Sequence, residues 1–169
     1  MNRCRMGKRK GVCLFLIFIL ILPILTACSE DYGSPDLSAA DAYWMVIDQL
    51  YQEDSGLNGD IKYLAIDTTE MVNLTEEGKE ALLKQLESYG YEVLDTTFQE
   101  LQEQGLIHDL YFPEGILFQI QDEPMEGNTI TMDASKWRSG TGAIGYDNLV
   151  VEYKNDIWEI KEFGGAWIS

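Results

Sequence analysis

The chain predicts an α+β domain in which N-terminal helices pack on a curved antiparallel sheet. Three observations lead there. Between Ala40 and Leu101 apolar residues recur mostly at intervals of three and four, the spacing of amphipathic helices, interrupted by two short strand-like runs. From Gly115 onward the period drops to two, as half-buried strands require. Helices first and an antiparallel meander afterwards is the order of an α+β fold with its helices gathered on one face. The 169 residues suffice for one modest domain beyond their first segment.

That first segment is an address. Residues 1–11 carry Arg3, Arg5, Lys8, Arg9 and Lys10 without an acid and run into the apolar stretch 12–25, the n-region and h-region of a secretory signal peptide. About 14 apolar residues would make a helix of ~21 Å, short of a ~30 Å hydrocarbon core. Pro23 interrupts it further. Leu25-Thr26-Ala27-Cys28 then resembles the lipobox of bacterial lipoproteins, in which the Cys receives diacylglycerol before cleavage. The resemblance implies a mature chain that begins at Cys28 and is held by several acyl chains, palmitate among them, on the extracytoplasmic face of the cell membrane. The expected organisation is a signal peptide at 1–27, a lipid-attached tether at 28–37 broken by Gly33 and Pro35, and a single domain at 38–169.

Cleavage changes the composition. Cys4 and Cys13 leave and Cys28 is used for lipid, so no disulfide forms although the compartment permits one. The five basic residues leave as well. Seven Lys plus Arg then face 29 acids, a net charge of −22 against −17 for the whole chain. Nucleic acid is excluded as a partner, because its binding depends on basic residues that displace counterions. A charged partner is expected to be cationic: a protein, a peptide or an envelope component.

Within 38–169, Ser38 with Asp41 opens a helix whose Ala40, Tyr43, Trp44, Ile47, Leu50 and Tyr51 share a face, ending before Ser55-Gly56. Residues 61–67 alternate loosely and read as a short strand. Thr75 caps a second helix through about Tyr89, with Leu82, Leu83, Leu86 and Tyr89 inward, Glu76 and Glu77 near its positive end and Gly90 at its stop. Residues 91–94 read as a strand, and Thr97 starts a short helix with Phe98 and Leu101 inward, stopped at Gly105. Ile116, Phe118 and Ile120 then alternate with Leu117, Gln119 and Gln121, and Ile130, Met132 and Ala134 with Thr129, Thr131 and Asp133. Leu149, Val151 and Tyr153 lead into Asn155-Asp156, a pair that tolerates the positive φ of a tight hairpin, and out through Trp158 and Ile160.

That hairpin, Tyr153-Lys154-Asn155-Asp156-Ile157-Trp158-Glu159-Ile160, is similar to the terminal hairpin of cystatin-like and NTF2-like cone folds. The stretch 134–168 also resembles uncharacterised lipoproteins of Firmicutes. The resemblance implies a cone with an open mouth and transfers no catalytic residue.

Gly140-Thr141-Gly142-Ala143-Ile144-Gly145 matches G-x-G-x-x-G, but strand pattern follows where a dinucleotide site needs a helix, so a bend, bulge or loop is expected. Ser135, Lys136, Arg138, Ser139 and Gly140 read as a loop able to hold an anion through a guanidinium fork and exposed amides. The competing reading pairs Lys136 and Arg138 with neighbouring acids and packs Trp137 on the sheet edge. The 54–60 stretch DSGLNGD lacks the third-position ligand and the closing Glu of a calcium loop. One histidine, His108, cannot build a multi-histidine metal centre and reads as a loop or packing residue. No cofactor or metal is expected. Trp44, Trp137, Trp158 and Trp167 either fill the core or line a ligand pocket. The expected role is a non-enzymatic binding or interaction module. The alternatives are a small extracytoplasmic enzyme using Asp, Glu or Tyr in the cone mouth, and an acidic immunity or inhibitor protein.

Overall fold

The computed structural model describes residues 38–169; the leader, the tether and Cys28 lie outside the described residues. Helix α1, Ala39–Gln52, buries Tyr43, Val46, Ile47 and Leu50, one stripe of a 3.6-residue period. Ser38 stands at its N-cap without a side-chain capping bond. Helix α2, Glu76–Leu86, starts where Thr75 Oγ1 accepts from the Gly78 N–H at 3.0 Å, and continues as a 3-10 turn to Gly90, whose φ of +84° ends it. Helix α3, Phe98–Glu103, opens with a reciprocal capping box between Thr97 and Glu100.

The strands are β1 Tyr63–Asp67, β2 Glu92–Asp95, β3 Gly115–Asp122, β4 Thr129–Ser139, β5 Gly142–Lys154, β6 Ile157–Glu162 and β7 Gly165–Ile168. They form one open sheet in the order β2-β1-β3-β4-β5-β6, with β7 paired to the first half of β5. The sheet is mixed rather than antiparallel. β1 runs parallel to both β2 and β3, in the register Leu64↔Val93 and Leu64↔Ile116, while every later pairing is antiparallel. Parallel neighbours need a long crossover, and α2 and then α3 with its following loop supply the two crossovers.

Those crossovers also explain why the helices do not all share one face. The chain moves from β1 outward to β2 and then back past β1 to β3. Right-handed crossovers in opposite directions put their helices on opposite faces. Accordingly Leu64, Ile66, Ile116, Phe118, Ile130 and Met132 pack with α1 and α2, whereas Ala65 and Leu117 pack with Leu101, Ile107 and Phe112 beneath α3. The described domain is therefore α+β with helices on an open, mixed sheet.

One further expectation is corrected. The stretch 135–140 is not a loop: β4 runs through Ser139, and only Gly140 and Thr141 turn. At the G-x-G-x-x-G match the chain turns at Gly140 and Thr141, the β4–β5 register shifts beside it, and the strand β5, not a helix, follows as expected. Between β5 and β6, Asn155 and Asp156 adopt φ of 52° and 64°, the two-residue hairpin turn expected from that pair.

Candidate functional site

Beyond α3, the sheet face that carries Leu117 is uncovered, and there β1, β3, β4, β5 and β7 frame a cleft of about 240 Å³. Gln119, Gln121 and Ser135 line it from the outward phase of β3 and β4. Carboxylates come from Asp67 at the end of β1, Glu70 after it, Asp133 on β4 and Asp147 on β5, and Trp167 of β7 lines it too.

Local geometry fixes these groups. Opposite Asp133 the β4–β5 register skips, and Asn148 takes a φ of 52° while its N–H donates to Asp133 Oδ1 at 2.7 Å. This bulge re-aims the strand next to Asp147. Asp147 Oδ1 accepts from Trp167 Nε1 at 3.1 Å, and Asp67 Oδ1 accepts from the backbone N–H and hydroxyl of Thr69. The indole lies against Gly145, where a Cβ would come within 2.4 Å of the ring, so glycine is required for that approach. Among the described residues the ion pairs are Lys62–Glu114, Lys79 with Glu76 and Asp95, and Lys161–Glu152; none reaches the cleft acids. The cleft is thus anionic without an internal counter-charge, and a cation bearing hydrogen-bond donors suits its carboxylates, amides and indole.

Of the residues singled out by sequence as site candidates, Ser135 and Trp167 line this cleft. Lys136, one place further along β4, points to the opposite face and is fully buried. Its ammonium donates to the carbonyl oxygens of Tyr51, Glu53 and Asp54 and to Asn58 Oδ1, at 3.5 Å, a short contact, 3.2 Å and 3.3 Å in turn. Helix α1 has no basic residue in its last turn, and the sheet supplies that cation instead. Burial pushes the Lys136 ammonium down to about 8, against the pull of Asp54 and Glu53. Arg138 donates from Nη1 to the carbonyls of Leu57 and Gly59 and from Nη2 to that of Pro113, each at 2.7–2.8 Å. The two cations clamp the 3-10 turn Ser55–Asn58 to the sheet; every acceptor but Asn58 Oδ1 is a backbone oxygen, and buried Arg138 Nε has no partner among the described residues. Ser139 bridges to Tyr111, and the Gly140 N–H donates to the Leu110 carbonyl at 3.0 Å. Exposed His108 sits in that same loop, before the turn at Asp109 and Leu110.

Sequence reasoning missed Asp122, the buried carboxylate at the end of β3. It accepts from Tyr43 Oη at 2.5 Å, from the Val72 N–H at 2.7 Å and from the Asn73 amide, which in turn donates to the Glu123 carbonyl and accepts from the Met125 N–H. Burial, then the hydrogen bond to Asp122 and its charge, raises Tyr43 far above the usual phenol range. Tyr146 rises to about 12 through burial and its hydrogen bond to Glu53. Both signals were present as polar residues on the inward phase of an apolar alternation: Asp122 follows Ile116, Phe118 and Ile120, and Lys136 follows Ile130, Met132 and Ala134. Three tryptophans pack as core residues, Trp44 on Tyr89, Trp137 on Phe98 and Trp158 on Tyr153. Trp167, 38% exposed, belongs to the cleft.

Among the described residues no group of His, Cys, Asp and Glu is placed to hold a metal ion, and no helix is long and apolar enough to cross a membrane. The chain matches no protein-family model, no curated protein and no solved structure.

Proposed function

We propose that this chain is a lipoprotein, anchored through Cys28 on the extracytoplasmic face of the cell membrane, whose cystatin-like or NTF2-like cone domain binds a cationic protein, peptide or envelope component without catalysis. The observation that carries the binding role is the cleft in which Asp67, Glu70, Asp133 and Asp147 gather beside Trp167, with no basic residue among the described residues paired to them. Uncompensated carboxylates steer and orient cationic partners, and an indole adds cation–π attraction once the charge is seated. The lipobox Leu25-Thr26-Ala27-Cys28 after a basic and apolar leader supports the anchor.

Two experiments test the reading separately. For the anchor, cells given radioactive palmitate label the wild-type chain, and Cys28→Ser abolishes the label and leaves an uncleaved precursor. Equal labelling of both proteins refutes the site. For the cleft, hexalysine serves as a probe in titration calorimetry. Replacing Glu70 and Asp133 together by Gln and Asn weakens its binding roughly tenfold, about 1.4 kcal/mol. The control pair Glu80→Gln with Glu87→Gln, on and just after α2, changes it less than twofold. Equal losses in the two double variants overturn the assignment of binding to the cleft.

A further inference from the structure

Among the described residues three strands have an outer edge, β2, β6 and β7. Exposed edges invite pairing with another chain, and sheets usually guard them with charge or proline. β2 carries Glu92 and Asp95, and β6 carries Glu159, Lys161 and Glu162. β7, Gly-Ala-Trp-Ile, carries neither charge nor proline. Exposed apolar side chains gather there: Ile168 is 77% exposed, and Phe163, just before the strand, 50%.

The ladder shows which backbone groups this edge offers. Ser169 and Ala143 exchange both hydrogen bonds, Ser169 N–H to Ala143 O at 2.9 Å and Ala143 N–H to Ser169 O at 3.5 Å. Bonded and non-bonded pairs alternate along an antiparallel ladder, so Trp167–Gly145 is the next bonded pair. The N–H and C=O of Ala166 and Ile168 therefore face away from β5. The side chains divide between the two faces in the same way. Ala166 and Ile168, with Ile144, Tyr146 and Glu53, line a second cavity of about 330 Å³ on the α1 face; Trp167 borders that cavity and also lines the acidic cleft on the other face.

We propose that β7 is a strand-addition edge, and that its occupant is an extended segment of a partner protein in which basic and apolar residues alternate. Successive side chains of an added strand point to opposite faces, so one set meets Ile168 and Ala166 and the other meets Trp167 and the acids beside it. A second copy of this chain is disfavoured as occupant because two chains of net charge −17 repel. The proposal rests on the binding role proposed above only for the charge of the partner segment; the edge itself follows from the ladder.

The test uses the full chain and a capped hexapeptide of alternating lysine and valine. Amide hydrogen exchange slows at least tenfold at Ala166 and Ile168 when the peptide is added, and Ala166→Pro, which removes an outward N–H but no bond to β5, weakens binding at least tenfold. If Ala166→Pro disturbs β7, the same peptide methylated on alternate backbone nitrogens gives the second reading: it binds the unaltered protein at least tenfold more weakly. Peptide binding without protection of these two amides overturns the edge, as does binding that survives both the variant and the methylation. A glutamate–valine peptide that binds equally well overturns the basic character of the partner, and protection that grows with protein concentration alone assigns the edge to a second copy. The two readings separate cleanly. Loss of hexalysine discrimination by the cleft variants with β7 protection intact sinks the cleft alone, and the converse sinks the edge alone.

Discussion

Replacing Asp122 by alanine lowers the unfolding free energy by about 3–4 kcal/mol, measured by urea denaturation. The carboxylate is buried at the end of β3 and takes hydrogen bonds from a tyrosine of α1, a backbone N–H and an asparagine of the 68–74 loop. Removing it leaves the hydroxyl of Tyr43, a fully buried residue, without its acceptor, at about 1–3 kcal/mol for an unpaired buried donor, and frees the N–H of exposed Val72, which loosens the loop. Tyr43→Phe is milder, about 1–1.5 kcal/mol, because Asp122 keeps its other donors. The double variant loses less than the sum of the two single losses, since the residues share one bond. The domain has no disulfide among the described residues to offset the loss, and single domains typically hold only about 5–15 kcal/mol in all. A loss below about 1 kcal/mol for Asp122→Ala would show that water replaces the carboxylate and that the network is not what pins the 68–74 loop to α1.

Lys136→Met is expected to lower stability by about 3 kcal/mol at neutral pH, with the turn Ser55–Asn58 loosened first. Methionine keeps the length and burial of the side chain but leaves the Glu53 carbonyl and Asn58 Oδ1 without a donor, while the Tyr51 and Asp54 carbonyls keep those of Asn58 Nδ2 and the Leu57 N–H. The pH dependence gives a second readout whose sign is set by the direction of the shift. Burial holds the folded ammonium at about 8, below its ordinary 10.5, so between those values the unfolded chain binds a proton that the folded chain has released. Stability from this group therefore rises with pH across that window and is lost as pH falls through about 8. Thermal melts of the two proteins at several pH values between 7.5 and 10.5 should show the wild-type advantage growing with pH. An advantage that shrinks with pH means that the carbonyls around Nζ outweigh its burial and hold the ammonium charged.

Both residues show how far a periodicity can be read. Extending the alternation of β3 and β4 by one inward step lands on Asp122 and Lys136, so their burial was legible. What each would meet inside was not, because Tyr43 lies 79 residues from Asp122 and Glu53 lies 83 from Lys136. Lys136 and Arg138 drew attention as two scarce cations close together, and that signal was real, but the anion they seemed to await is replaced by carbonyl oxygens of the 51–59 segment. The cleft was illegible for a related reason. Its acids come from β1, the segment after it, β4 and β5, and among 29 Asp and Glu nothing local distinguishes these four.

The sequence by itself determined the helix starts at Thr75 and Thr97, the stop at Gly90 and the turn at Asn155-Asp156, because each depends on a hydrogen bond or a φ preference within a few residues. It also determined which face of β3 and β4 is buried, since a two-residue period needs no knowledge of the neighbour. Only the tertiary structure decided that β1 runs parallel to its neighbours, that α3 lies on the opposite face from α1 and α2, and that 165–168 forms an edge strand on β5. Strand direction and partner are settled by contacts between segments far apart in the chain, and the alternation of apolar and polar residues is the same whichever way a strand runs.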